Sequence, residues 1–188
     1  TEVYTAYHKA GFGVMALSWR GYGRSTGKPN EQGLYIDART LVDYALNEQQ
    51  IPASKIIFYG ESLGTGVAIQ MATEFDVAGV VLEAPYTSIT ERAQEMYPWV
   101  PVPWLIKDHY KSAIKIVDIS EPLMIFHNRG DRIVPFHHGE SLFKLANEPK
   151  VAHWMESKEH VVFDREGLAQ KMLTFFEQQG VISVSEED

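Results

Sequence analysis

Cysteine is absent from all 188 residues. That excludes disulfides, thiolate metal sites and a cysteine nucleophile, and it fits a reducing compartment. No apolar run approaches the roughly 18 residues that a membrane span needs. Positive charge is scarce: 17 Lys and Arg stand against 25 Asp and Glu, a formal charge of −8, with an isoelectric point near 5.4. Nucleic acid and anionic membrane surfaces demand a basic patch, so neither is expected as the main partner. No two histidines stand four apart, and His137 and His138 are neighbours that a helix would turn away from a shared ligand. Neither a metal nor an organic cofactor is therefore expected. No signal peptide is visible, and the chain opens on Thr1. It reads as a fragment or processed product, which leaves open a targeting segment lost with the rest. A cytoplasmic location is the expectation, with membrane anchoring through a missing N-terminus left open.

What remains is an ordinary globular balance, 45% hydrophobic and 22% charged, with enough chain for one domain over residues 1–188. Short apolar runs alternate with amphipathic ones, which predicts a parallel sheet covered by helices on both faces, a three-layer α/β sandwich. Helices are expected at Glu2–Lys9, 31–47, 63–75, 139–146 and 166–178. Buried strands are expected at 13–18, 55–59, 77–82, 123–127 and 151–155. Residues 86–120, aromatic and proline-rich, interrupt the alternation and read as a short cap. Residues 183–188 are acidic and read as a solvated tail.

Gly60-Glu61-Ser62-Leu63-Gly64 lies between the strand signal Lys55-Ile56-Ile57-Phe58-Tyr59 and the helix signal that begins at Thr65. A G-x-S-x-G pentad in that context is a nucleophile elbow: a sharp turn that strains the serine backbone and exposes its hydroxyl. Glycines flank the serine where side chains would collide with strand and helix. The helix start supplies free N–H groups to a developing oxyanion, the first being that of Leu63.

A serine hydroxyl needs a base, and the base needs a carboxylate. On this topology the chain order is serine, acid, histidine. Asp131 follows a strand and Gly130 at a turn, and His160 follows the last strand. They are the expected acid and base. Glu83, at the end of the preceding strand, competes for the acid's role. His127, in the strand that leads to the acid loop, is a candidate for the floor of the site, and His153 lies inside a strand as a core or surface group. In the cap, Tyr86, Met96, Trp99 and Trp104 either line an apolar acyl pocket or pack the cap on the body. Residues 20–27 form a glycine-rich loop, taken as structural support in preference to site lining. Glu31 and Asp37 are taken as acids favoured by a helix start.

Taken together, Arg20-Gly21-Tyr22-Gly23-Arg24-Ser25-Thr26-Gly27 with Pro29, Glu31, Gly33 and Asp37, the pentad with Thr65 and Gly66, Leu82-Glu83-Ala84-Pro85-Tyr86-Thr87-Ser88, Gly130-Asp131 with Val134-Pro135, and His160 resemble the α/β-hydrolase family. Within it, the likeness is to the serine hydrolases of the Bem46-like branch, such as the α/β-hydrolase-domain proteins of types 13 and 17. The resemblance implies that Ser62 is the nucleophile, Asp131 the acid and His160 the base, acting on an ester, thioester or amide with a small or medium acyl group. The same residues would serve an acyltransferase or a peptidase, and the fold also serves as a non-catalytic binding scaffold. Relatives carry an earlier strand and a His-Gly loop that gives a second oxyanion donor. Neither is in this sequence, which leaves an open sheet edge and Leu63 as the remaining donor. Relatives also often place a glycine before the histidine, where this chain has Lys158-Glu159.

Overall fold

The computed structural model describes residues 2–162 and 164–182, with side chains from residue 4 onward. The acidic end at 183–188 lies outside the described residues. Four strands, β1 (Ile57–Glu61), β2 (Gly79–Glu83), β3 (Leu123–Asn128) and β4 (Lys150–Met155), pair in parallel in the order β1-β2-β3-β4. Parallel neighbours need crossovers, and each crossover carries helix. These are α3 (Leu63–Ala72), then α4 (Ile89–Met96), α5 (Val102–Leu105) and α6 (Ser112–Lys115) within the 86–120 segment, and then α7 (Phe136–Leu145). Helices α1 (Glu2–Lys9) and α2 (Glu31–Asp43) precede the sheet, and α8 (Arg165–Gln178) follows it.

The apolar runs of β2 and β3 are continuous because both faces of the sheet are covered. Val80, Leu82, Leu123 and Ile125 point to one face, under Ile69 of α3, Ile116 and Leu142 of α7. Val81, Met124 and Phe126 point to the other, under Tyr7 of α1 and Leu168, Met172 and Phe176 of α8. Truncating one of these fully buried chains, Ile125→Ala for example, is expected to cost about 2–5 kcal/mol. A third cluster packs Leu34, Tyr35 and Ala38 of α2 on Val67 and Met71 of α3, with Tyr86 and Tyr110.

One expected strand does not form. Residues 13–18 take no strand among the described residues, and Val14 and Met15 are exposed. A strand is defined by ladder hydrogen bonds to a neighbouring edge. This run instead faces β1 across a groove of about 1760 Å³, lined by Val14, Met15 and Leu17 on one side and by Ile57 and Tyr59 on the other. Other elements keep their identity and shift their ends. β1 runs into Glu61, directly before Ser62, and α7 begins at Phe136, after Pro135, so that His137 and His138 enter its first turn.

The carboxylates of α2 do not cap it, although Glu31 lies in its first turn. The cap is Asn30, whose side chain accepts from Gly33 N at 2.8 Å. Glu31 instead accepts from the backbone N–H groups of His109 (2.6 Å) and Tyr110 (3.1 Å), while its own N–H donates to Asp108 at 2.9 Å, stitching the 86–120 segment to α2. Those N–H groups and the Tyr35 hydroxyl outweigh burial and lower the Glu31 pKa. Asp37 accepts a fork from Arg20, with Nη2 at 2.5 Å and Nε at 3.0 Å, which holds the 20–27 loop on the helix as structural support.

Candidate active site

Ser62 sits between β1 and α3 with φ 51° and ψ −117°. An L side chain in that region costs about 1–3 kcal/mol. The turn holds it there: Ser62 N donates to Glu83 O at 2.9 Å, and Thr65 Oγ1 donates to Ser62 O at 2.6 Å. Gly60 is required, because a Cβ there would meet the Gly64 backbone. Gly64 itself has open space around it, so the expected collision on that side is absent. The second crowded glycine is Gly66, whose Cβ would strike the Tyr86 hydroxyl.

The strand ends bring three sequence candidates into one hydrogen-bonded line. His160 Nε2 lies 2.8 Å from Ser62 Oγ, and its Nδ1 lies 2.7 Å from Asp131 Oδ2. The other Asp131 oxygen accepts from the N–H groups of Ile133 (2.8 Å) and Val134 (3.0 Å). Burial pushes the Asp131 pKa upward, but the His127 ring close beside it and the hydrogen bonds from His160 and the two N–H groups outweigh it and hold the carboxyl well below the usual carboxylate range. The hydrogen bond to Asp131 raises the His160 pKa above its ordinary value, against burial. His127 is fully buried beneath the acid, with Nε2 2.9 Å from Val134 O and 3.6 Å from Asp131 Oδ2. His153 packs as expected, stacked on Phe126 at 5.1 Å.

Glu83, the competing acid, does not touch the base. Its buried carboxylate takes Val162 N–H, the Tyr59 hydroxyl and Arg165 Nη1, anchoring the chain two residues beyond His160. Asn128, which the sequence did not single out, clamps the same loop: its Nδ2 donates to Glu159 O at 2.8 Å and to Val161 O at 3.4 Å, on either side of His160. Its place as the last residue of β3, on the carboxyl rim of the sheet, was the available signal. Asn128→Ala would orphan those contacts, a cost of about 1–3 kcal/mol. It is expected to lower the melting temperature and to cut kcat while leaving KM nearly unchanged. Glu83→Gln would remove a charge from beside Arg165, which keeps Glu61 at 3.0 Å as a second partner, and is expected to destabilise the fold by about 1–3 kcal/mol, measurable by denaturant unfolding.

Residues 1–115 match the family model described as serine aminopeptidase, S33. The chain belongs to the α/β-hydrolase superfamily. It is 37% identical over 149 residues to an uncharacterized protein of Mycobacterium tuberculosis, covering 79% of this chain and 53% of that protein. It is 30% identical over 147 residues to human alpha/beta hydrolase domain-containing protein 17B, covering 78% of this chain and 50% of that one. The chain thus spans about half the length of the curated relatives it matches. Its fold superposes on the crystal structure of an alpha-beta hydrolase from Vibrio vulnificus with a TM-score of 0.76 at 22% identity, over 96% of this chain and 68% of that one.

Of the four side chains in this α/β-hydrolase read as either lining an acyl pocket or packing the cap on the body, Tyr86 packs, and the other three are exposed and do neither. Tyr86 is buried in the third cluster, its hydroxyl donating to Leu63 O at 3.1 Å. Met96, Trp99 and Trp104 are 54%, 93% and 90% exposed. The 86–120 segment packs inward through Val102, Tyr110 and Ile116, and a four-residue helix that buries Val102 turns Trp104 outward. The space beneath the segment is lined by other residues. A pocket of about 400 Å³ lies between Leu34, Leu63, Ile89, Leu105 and Tyr110, and Ser62 and Leu63 also border the larger groove beside β1. Among the described residues no helix is long and apolar enough to cross a membrane. One further expectation fails: His137 and His138, in the first turn of α7, both aim Nε2 at the Glu95 carboxylate.

Proposed function

We propose that the protein is a serine hydrolase that cleaves a carboxylic ester, thioester or amide through an acyl-enzyme on Ser62. The observation that carries this is the unbroken line Ser62–His160–Asp131, set on a strained strand-to-helix turn. Ser62 Oγ attacks the carbonyl carbon as its proton passes to His160 Nε2. Asp131 holds the imidazole in the tautomer that presents a lone pair to Ser62 and stabilises the cation that forms. The developing oxyanion meets the Leu63 N–H, at the start of α3, where the first N–H groups have no intrahelical acceptor. Collapse of the tetrahedral intermediate releases the alcohol, thiol or amine, which takes the proton from His160. Water then enters by the same route in reverse, and the carboxylic acid leaves.

The pocket of about 400 Å³ beside Leu63 suits a small or medium acyl group. Acyl transfer to another acceptor, or peptide cleavage, would use the same residues and differ in the leaving and entering groups. A fluorophosphonate probe tests the proposal. Labelling of the full-length protein is expected, with the adduct mapped by peptide mass to Ser62, and turnover of p-nitrophenyl esters is expected to fall as the acyl chain outgrows the pocket. A folded protein that takes no label and turns over no ester, thioester or peptide substrate would mark the chain as a binding scaffold.

A further inference from the structure

The strongest unused cluster lies where the 86–120 segment meets the acid loop. Glu95, in the last turn of α4, receives two imidazoles from the first turn of α7: His137 Nε2 at 2.8 Å from Oε1 and His138 Nε2 at 3.2 Å from Oε2. The two rings stack with centroids 4.4 Å apart and planes 28° apart, so both nitrogens point the same way. One ligand atom from each of the three residues lies within 4.8 Å of the others. A tetrahedral zinc ion with bonds of about 2.0–2.1 Å sets its ligand atoms roughly 3.3 Å apart. Glu95 and His137 are exposed, so their side chains have room to close to that spacing.

The support around the cluster is what a metal-ligating histidine needs. His138 is 1% exposed, and its Nδ1 lies 2.7 Å from Thr87 Oγ1. The Thr87 hydroxyl in turn contacts Glu91. Without an ion, Thr87 N–H points at His138 Nδ1 from 3.3 Å and Nε2 donates to Glu95; a zinc ion would take the other tautomer, in which Nδ1–H donates to the Thr87 hydroxyl, Thr87 donates to Glu91, and the Nε2 lone pair turns to the ion. A ligand histidine commonly donates its second ring N–H outward in this way, which fixes tautomer and ring orientation. Arg92 Nη1 stands 3.7 Å from Glu95 Oε2, while its Nε and Nη2 donate to the carbonyls of Ile133 and Arg132. Arg92 therefore stays anchored when the carboxylate turns to a cation.

We infer that Glu95, His137 and His138 form a zinc site, with water completing the coordination, that pins α4 to α7. Two imidazoles and one carboxylate are a donor set suited to Zn²⁺ and poorly suited to Ca²⁺ or Mg²⁺. The ion would join the 86–120 segment to the helix that leads out of the Asp131 loop. This holds whether or not Ser62 is a nucleophile, because none of the three ligands belongs to the Ser62–His160–Asp131 line.

Full-length protein stripped of metal with a chelator and titrated with zinc chloride tests the site. One zinc per chain is expected, and Glu95→Gln and His137→Ala are each expected to weaken binding at least about tenfold. Glu95 and His137 are exposed, so both variants are expected to keep the wild-type circular dichroism. Cobalt chloride is expected to give the visible bands of a tetrahedral site in the wild type and not in the variants. Zinc is also expected to raise the melting temperature of the wild type alone. A wild type that takes up no zinc overturns the inference, as does zinc binding that persists undiminished in both variants.

Discussion

Replacing Ser62 by alanine is expected to lower turnover of an ester substrate by about 10⁶-fold. The imidazole of His160 has its Nε2 committed to Ser62 Oγ at 2.8 Å, so removing that oxygen leaves a base with no nucleophile to activate. The residual rate over water comes from substrate binding and from the donors at the start of α3. The fold is expected to survive, because the turn is held by backbone contacts: Ser62 N to Glu83 O, and Thr65 to Ser62 O. A second substitution separates chemistry from strain. Ser62→Gly deletes the nucleophile equally but accepts φ 51° without a Cβ penalty. It is expected to be more stable than Ser62→Ala by about 1 kcal/mol, a few degrees in melting temperature for a chain of this size. If Ser62→Ala keeps its turnover, the nucleophile lies elsewhere. If glycine and alanine melt together, the turn stores no strain.

The parts of the fold that could be read in advance are those where local sequence and tertiary environment ask for the same residues. β2 and β3 are runs of Val, Leu, Ile, Met and Phe because both faces are covered, and such runs are visible without a structure. The proximity of Ser62, Asp131 and His160 was legible because each closes or follows a strand on the carboxyl rim, and their order along the chain matches the roles proposed for them. Residues 13–18 look like a strand by composition, but strand formation is a property of a pair of edges, and composition says nothing of the partner. The outward Trp99 and Trp104 were misjudged for a related reason. Their residue type favours burial, yet a short helix has one inner side, which Val102 takes. Glu31, Glu83 and Asn128 act on backbone groups 31 to 79 positions away, and no spacing rule reaches that far. For His137 and His138, the rule that adjacent residues on a helix face apart argues against a shared ligand. In the first turn of α7, with both rings stacked toward α4, that rule does not hold.

Asp131→Asn is expected to lower kcat by about 10⁴-fold with the fold intact, and to move the pH dependence of what remains. The amide has a similar shape but can present N–H to His160 Nδ1. That favours the tautomer with its proton on Nε2, the nitrogen that must accept from Ser62. In the wild type the base works only when neutral, so the rate is expected to rise with pH through the His160 pKa. Asp131 holds that pKa above the ordinary value of about 6.5. Without the carboxylate charge the midpoint is expected to move down. Stability responds in the opposite sense at each residue. The folded-state pKa of Asp131 is depressed, so its contribution is present above the unfolded value of about 3.9 and is lost as pH falls toward the folded one. The folded-state pKa of His160 is raised, so its contribution is full below about 6.5 and is lost as pH rises through the folded value. The stability gap between wild type and Asp131→Asn is therefore expected to close as pH falls below about 4, to be full just above it, and to narrow again as pH rises through the raised His160 pKa. An acid limb of the rate profile that stays in place in Asp131→Asn would show that the carboxylate does not set the basicity of His160, and would turn attention to Glu83, whose carboxylate already reaches the same loop through Val162.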